Sequence, residues 1–183
     1  MPSGPGVIDD RLIGEIVKTV LPGVSTFLLT SETTAKGIIA HYRKVNTSAI
    51  QIVDELPKED YAVLRAELPN VKLVQVIHVS DENSVKEAVE TAKYVDAILL
   101  NSGKPNLQVK ELGGTGRTHN WELSRQIREN IGIPVFLAGG IKPDNVKEAV
   151  EKVQPFGVDL CSGVRTDGKL DEEKLKTFFK EIG

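Results

Sequence analysis

Phe136-Leu137-Ala138-Gly139-Gly140-Ile141 and, further on, Gly157-Val158-Asp159-Leu160-Cys161-Ser162-Gly163-Val164 decide how this chain is read. Each is a short apolar run that enters a glycine-bearing turn and then a helix start, the pattern of a buried strand feeding a helix. Glycine lets the backbone approach a ligand closely. The helix start offers N–H groups that have no partner within the helix and carry a partial positive charge. Taken alone, either segment is explained by a tight turn. Two such turns on consecutive strand–helix units favour a phosphate cradle built from Gly139, Gly140, Ser162 and Gly163.

The same alternation extends outward through the whole sequence. Asp9 or Asp10 caps a helix with Leu12, Ile13, Ile16 and Val17 on one face, and Pro22-Gly23 ends it. Strands are expected at 24–30, 49–53, 71–79, 97–100, 134–138 and 157–161. Helices are expected at 31–42, 57–67, from 80 or 81 to 94, and at 120–130, 142–153 and 170–182. A long loop, 101–118, precedes the helix at 120. Strands alternating with helices imply parallel pairing with right-handed crossovers, and continuously apolar strands imply cover on both faces. A cradle after the last two strands is where an eight-stranded (β/α)₈ barrel holds phosphate. Six strands are counted here instead of eight. The expected class is therefore α/β, derived from a TIM (β/α)₈ barrel with the first two strands absent, in a single domain over 1–183. The unpaired edges left by two missing strands leave three readings open: a longer protein whose start lies upstream, which is favoured, a homodimer closing through those edges, or an open sheet that keeps the cradle.

The composition narrows the partners. A chain of 183 residues builds one domain with a sizeable core. The net charge is only −3, and no basic stripe is interleaved with aromatics, so nucleic acid is not an expected partner. No apolar run approaches the roughly 18 residues of a membrane span, and the start of the chain lacks the regions of a signal peptide. The single cysteine precludes an internal disulfide and suits a reducing compartment, so a cytoplasmic location is expected. One cysteine and three scattered histidines give no metal-ligand spacing, and no metal or cofactor is expected.

A third stretch, Glu111-Leu112-Gly113-Gly114-Thr115-Gly116-Arg117-Thr118-His119-Asn120-Trp121, carries a resemblance when read with the two above and with Lys142-Pro143-Asp144-Asn145-Val146. Together they strongly resemble the phosphoribosylanthranilate isomerase family, closely from Val95 onward and more loosely from Asp10 to Tyr94. The resemblance implies a TIM barrel that performs, without a cofactor, the Amadori rearrangement of a phosphoribosylated amine in tryptophan biosynthesis. It implies that Gly139 and Gly140 follow strand 7 of the barrel, and that Ser162 and Gly163 follow strand 8 and hold the substrate phosphate. It also implies that Gly113, Gly114, Thr115 and Gly116 lie in the loop over the site.

At the position of the family's general-acid aspartate stands Asn120, which can hydrogen-bond but cannot deliver a proton at a useful pKa. The strand carrying the family's cysteine base has no counterpart, nor has its carboxylate-binding arginine, for which Ser3 to Gly6 offers no match. The family's strand 4 pattern has a histidine, where this chain offers Gln51. Two functions stay open on these residues: an isomerase acting on a phosphorylated sugar-type small molecule, and a catalytically lapsed paralogue that binds a phosphorylated metabolite.

The remaining candidates each have a plain alternative. His119 supplies acid–base chemistry with an ordinary pKa near 6.5, or is a solvent-exposed loop residue. Cys161 is expected in the core. His78, Asn101 and Asp54 lie at the ends of strands, where barrel sites form. His41 is expected on the surface, and Trp121 is expected to anchor packing.

Overall fold

The computed structural model describes residues 7–102 and 119–183, so Gly113, Gly114, Thr115 and Gly116 lie outside the described residues. The chain divides into two compact units. The first comprises residues up to Val76 with Tyr94–Asp96, and the second Ile77–Lys93 with Ala97–Gly183.

In the first unit α1 (Asp10–Thr19) starts under Asp9, whose carboxylate accepts the Arg11 N–H at 2.8 Å. Strand β1 (Phe27–Thr30) leads to α2 (Ala35–Val45), capped by the Thr34 hydroxyl and ended by Asn46 in the left-handed region. Strand β2 (Ala49–Ile52), helix α3 (Lys58–Glu67) and strand β3 (Lys72–His78) follow. The order is β1-β2-β3, all parallel, in register Leu28↔Ile50 and Ile50↔Leu73. Leu28, Ile38, Ile50, Ile52, Leu64 and Leu73 fill the core. On β1 the burial alternates: Leu28 and Thr30 are covered, while Phe27 and Leu29 are 39% and 49% exposed.

The second unit continues from the end of β3 through α4 (Asn83–Thr91), β4 (Ala97–Asn101), α5 (Trp121–Asn130), β5 (Val135–Leu137) and α6 (Val146–Val153) to β6 (Gly157–Val158). Strands β4-β5-β6 are parallel, in register Leu99↔Phe136↔Gly157 and Leu100↔Leu137↔Val158. A 3₁₀ helix (Ser162–Val164), a hairpin of β7 (Arg165–Thr166) with β8 (Lys169–Leu170), and α7 (Glu172–Ile182) complete it. No described helix is long and apolar enough to cross a membrane.

Several boundaries differ from the sequence reading: β1 starts at Phe27 and not at Val24, α2 spans Ala35–Val45 and not 31–42, and α4 spans Asn83–Thr91 and not 80 or 81 to 94. Three others differ because local polar chemistry interrupts a regular element. The last strand was expected to run to Cys161 but stops at Val158, since the chain coils into the 3₁₀ helix instead. The final helix begins at Glu172 and not at Leu170, because Asp167 and Gly168, both at positive φ, fold Lys169–Leu170 back onto Arg165–Thr166. Helix α6 begins at Val146 and not at Lys142, because the intervening residues form a closed turn. Two side chains also depart from expectation. Cys161 is exposed instead of buried, since the strand meant to cover it has already ended. His41 is not a surface residue: its ring lies between Thr30 Oγ1 at 3.1 Å and Asp10 Oδ1 at 3.2 Å, and Lys44 reaches the same carboxylate at 2.9 Å.

Candidate active site

The cradle begins with the backbone after β5. Gly139 and Gly140 have φ of +82° and +67°, a region that L side chains rarely enter. Gly139 has a second reason to lack a side chain: a Cβ there would stand 2.8 Å from the Ser102 nitrogen and hydroxyl, just beyond the end of β4. The turn is closed by Asn145, whose Oδ1 accepts the Lys142 N–H and whose Nδ2 donates to the Gly140 carbonyl, each at 2.9 Å.

The second segment packs directly on the first. A Cβ on Gly163 would run into the Ile141 carbonyl and come within 3.0 Å of Lys142 Cα, so the start of the 3₁₀ helix meets the turn after β5 at backbone distance. The structure thus brings together both glycine-bearing stretches. Among the described residues, the N–H groups of Gly139, Gly140, Ser162 and Gly163 have no protein acceptor. Unpartnered N–H groups converging at a helix start are suited to an anion.

At the start of α5 the arrangement is different. Asn120 is exposed and serves as the helix N-cap, its Oδ1 accepting the Glu122 N–H at 3.0 Å. Its Nδ2 remains available to a ligand. His119 is not a solvent-exposed loop residue: it folds back along α5, with Nε2 2.6 Å from the hydroxyl of fully buried Ser124. Burial lowers its pKa to about 4, which keeps the ring neutral near pH 7. Its Nδ1 and the Trp121 Nε1 are buried without a hydrogen-bond partner. Trp121 is 9% exposed and anchors packing as expected. Neither His119 nor Asn120 hydrogen-bonds to a cradle residue.

His78 ends β3 half-buried, and its carbonyl accepts the Ser84 hydroxyl at 3.3 Å. Asn101 ends β4, where its own Oδ1 accepts the Ser102 N–H at 2.7 Å. Asp54, in the other unit, accepts the Glu55 N–H at 3.0 Å.

One residue the sequence reading quoted but did not single out is Asp159. Its N–H continues the ladder to Leu137, so alternation directs its side chain to the same sheet face as Gly157, Phe136 and Leu99. That is the less covered face of β5, where Phe136 is half-buried between buried Val135 and Leu137. Although Asp159 is exposed overall, protein flanks its carboxyl, and this partial desolvation raises its pKa above the ordinary carboxylate value. A carboxylate one step beyond a strand, among glycines that mark the site, was the signal that could have found it. Among the described residues no cluster of three or more His, Cys, Asp or Glu side chains could hold a metal ion.

Residues 29–181 match the family model described as N-(5'-phosphoribosyl)anthranilate (PRA) isomerase. The chain is 32% identical to the N-(5'-phosphoribosyl)anthranilate isomerase of Methanosarcina acetivorans, over 97% of this chain and 78% of that protein. Its fold superposes with a TM-score of 0.81 on the phosphoribosyl anthranilate isomerase of Thermotoga maritima, at 27% identity, covering 98% of this chain and 83% of that one. A second solved phosphoribosyl anthranilate isomerase holds reduced 1-(o-carboxyphenylamino)-1-deoxyribulose 5-phosphate. It superposes with a TM-score of 0.77 at 25% identity, over 98% of this chain and 82% of that one. The fold class is accordingly α/β and derived from the TIM barrel.

Proposed function

The chain belongs to the N-(5'-phosphoribosyl)anthranilate isomerase family, and from that premise we propose that it binds a phosphoribosylated aromatic amine and isomerises it. The reaction is an Amadori rearrangement of an aminoaldose to an aminoketose, a step of tryptophan biosynthesis. Protonation of the ring oxygen opens the ribose to an imine. Loss of the C2 proton then gives an enolamine, which takes a proton at C1 as the C2 carbonyl forms. The chemistry needs one anchored end, a proton donor and a proton acceptor.

The observation that carries this reading is the contact between Gly163 and the turn after β5, which gathers the free N–H groups of Gly139, Gly140, Ser162 and Gly163 at one anion site. The substrate phosphate is anchored there. Asn120 offers its Nδ2 to a polar atom of the ligand, and neutral His119 steadies the start of α5 through Ser124. Asp159, whose proton is retained more readily than that of an ordinary carboxylic acid, stands three residues before the 3₁₀ helix and is a proton-carrying group for this site. A cytoplasmic setting belongs to the same reading, as does self-association through sheet edges, which the exposed Phe27 and Leu29 on β1 favour. The comparisons lend no support to a lapsed, purely binding paralogue.

The test is turnover of N-(5'-phosphoribosyl)anthranilate to 1-(o-carboxyphenylamino)-1-deoxyribulose 5-phosphate, with calorimetric titration of inorganic phosphate beside it. Conversion that phosphate inhibits competitively is the expected result. Phosphate binding with no conversion would remove the isomerase reading and leave only the binding site.

A further inference from the structure

Asn145 occupies the residue before α6, where a short polar side chain usually caps the helix, yet its side chain makes no capping bond. It reaches back instead. Its Oδ1 accepts the Lys142 N–H and its Nδ2 donates to the Gly140 carbonyl, both at 2.9 Å. The two partners fix which end of the amide is which, because an N–H needs an acceptor and a carbonyl needs a donor. The carboxamide thereby holds the Gly140 carbonyl and takes up the Lys142 N–H, while the N–H groups of Gly139 and Gly140 have no acceptor among the described residues. Gly140 sits at positive φ without a side chain, so its ψ, which orients the peptide to Ile141, is little restrained from the Gly140 side. A rotated peptide would present a carbonyl oxygen to an anion.

We infer that Asn145 is a positioning residue for the phosphate: its carboxamide keeps the Gly140 carbonyl turned away from the cradle, so that this oxygen does not face the anion that the glycine N–H groups bind. The inference rests on the phosphate reading of this turn. It requires both ends of the amide, which distinguishes it from a role in starting α6. Aspartate would still accept from Lys142 and would cap a helix as well as asparagine, but it sets an oxygen against the Gly140 oxygen. Alanine removes both bonds without adding charge.

The experiment titrates inorganic phosphate into the full chain and its Asn145→Asp and Asn145→Ala variants by calorimetry, with the thermal midpoint of each measured in parallel. Phosphate affinity is expected to fall about tenfold or more in Asn145→Asp and several-fold in Asn145→Ala. The order of affinities should not follow the order of midpoints. With the phosphorylated substrate the loss should fall on KM, with kcat within about twofold of the unaltered chain. Unchanged phosphate affinity in either folded variant overturns the inference, as does a loss that merely tracks the midpoint. Asn145→Asp keeps one of the two bonds and decides the matter if Asn145→Ala does not fold. Failure of the unaltered chain to bind phosphate overturns the cradle itself, and is recognisable because it needs no variant.

Discussion

The turn after β5 and the start of α5 both belong to the second unit, but they are built from different material. The first is backbone: two glycines at positive φ, a third that touches the Ile141 carbonyl, and N–H groups left without partners. The second is side chain: Asn120 at the cap and His119 folded onto Ser124. A backbone site depends on whether the chain can take up a conformation, and it tolerates changes in neighbouring side chains as long as the glycines stay. A side-chain site depends on the identity of each group, because one atom decides whether a proton can be carried. This chain has the glycine backbone that the first kind of site needs and, at Asn120, departs from the residue the family resemblance implies at the second.

The largest effect that would sharpen this contrast is expected from Asn120→Asp. Aspartate caps a helix about as well as asparagine, so stability should hold. Turnover of N-(5'-phosphoribosyl)anthranilate should rise by roughly 10²-fold or more, the usual contribution of a positioned acid. Steady-state kinetics on the purified variant read this directly. An Asn120→Asp protein no faster than the unaltered chain would mean that proton transfer does not pass through this position.

Next comes the acid sensitivity of His119. Its folded pKa of about 4 lies below the ordinary 6.5, so the unfolded chain takes up a proton first. The stability that the neutral ring contributes is fully present above pH 6.5 and is lost as pH falls from 6.5 towards 4. Over that window the loss amounts to about 3 kcal/mol relative to a residue that does not titrate. Denaturant unfolding of the unaltered chain and of His119→Gln at pH 7.5 and pH 4 isolates the difference from the carboxylates that titrate nearby. Parallel acid profiles would show that the ring gains no stability from being neutral in the fold.

The same contrast governs how much was legible in the sequence. The order and type of the helices and parallel strands of the described chain follow the apolar periodicity, with ends displaced by up to four residues, because burial sets those patterns and leaves them in the order of residues. The paired glycines were legible for the same reason, since few residues besides glycine adopt φ near +82°. What escaped notice depends on pairings between residues distant in sequence. His41 reads as a helix-surface histidine until Asp10 and Thr30 are brought to either side of it. His119 reads as a loop residue with an ordinary pKa until burial against Ser124 makes it neutral. Asn145 falls inside the helix expected over 142–153, and only the closed turn shows its amide spanning Lys142 and Gly140. Cys161 reads as a core residue of the last strand until that strand is seen to end at Val158, which leaves it exposed.

The smallest expected effect tests the backbone side of the comparison. Gly163→Ala adds one methyl group where the Ile141 carbonyl already lies, and neither neighbour is a flexible side chain that can swing aside. The two segments must part by about an ångström or more, at the roughly 1–3 kcal/mol that overpacking typically costs. Because the 3₁₀ helix is only three residues long, the displacement falls on the Ser162 and Gly163 N–H groups themselves. Phosphate affinity should then drop with stability, whereas Asn120→Asp should leave phosphate affinity untouched while changing turnover. Calorimetry with inorganic phosphate on both variants separates the two regions. If Gly163→Ala binds phosphate as tightly as the unaltered chain, the close approach to Ile141 is a packing requirement only, and the anion is held by the turn after β5 alone.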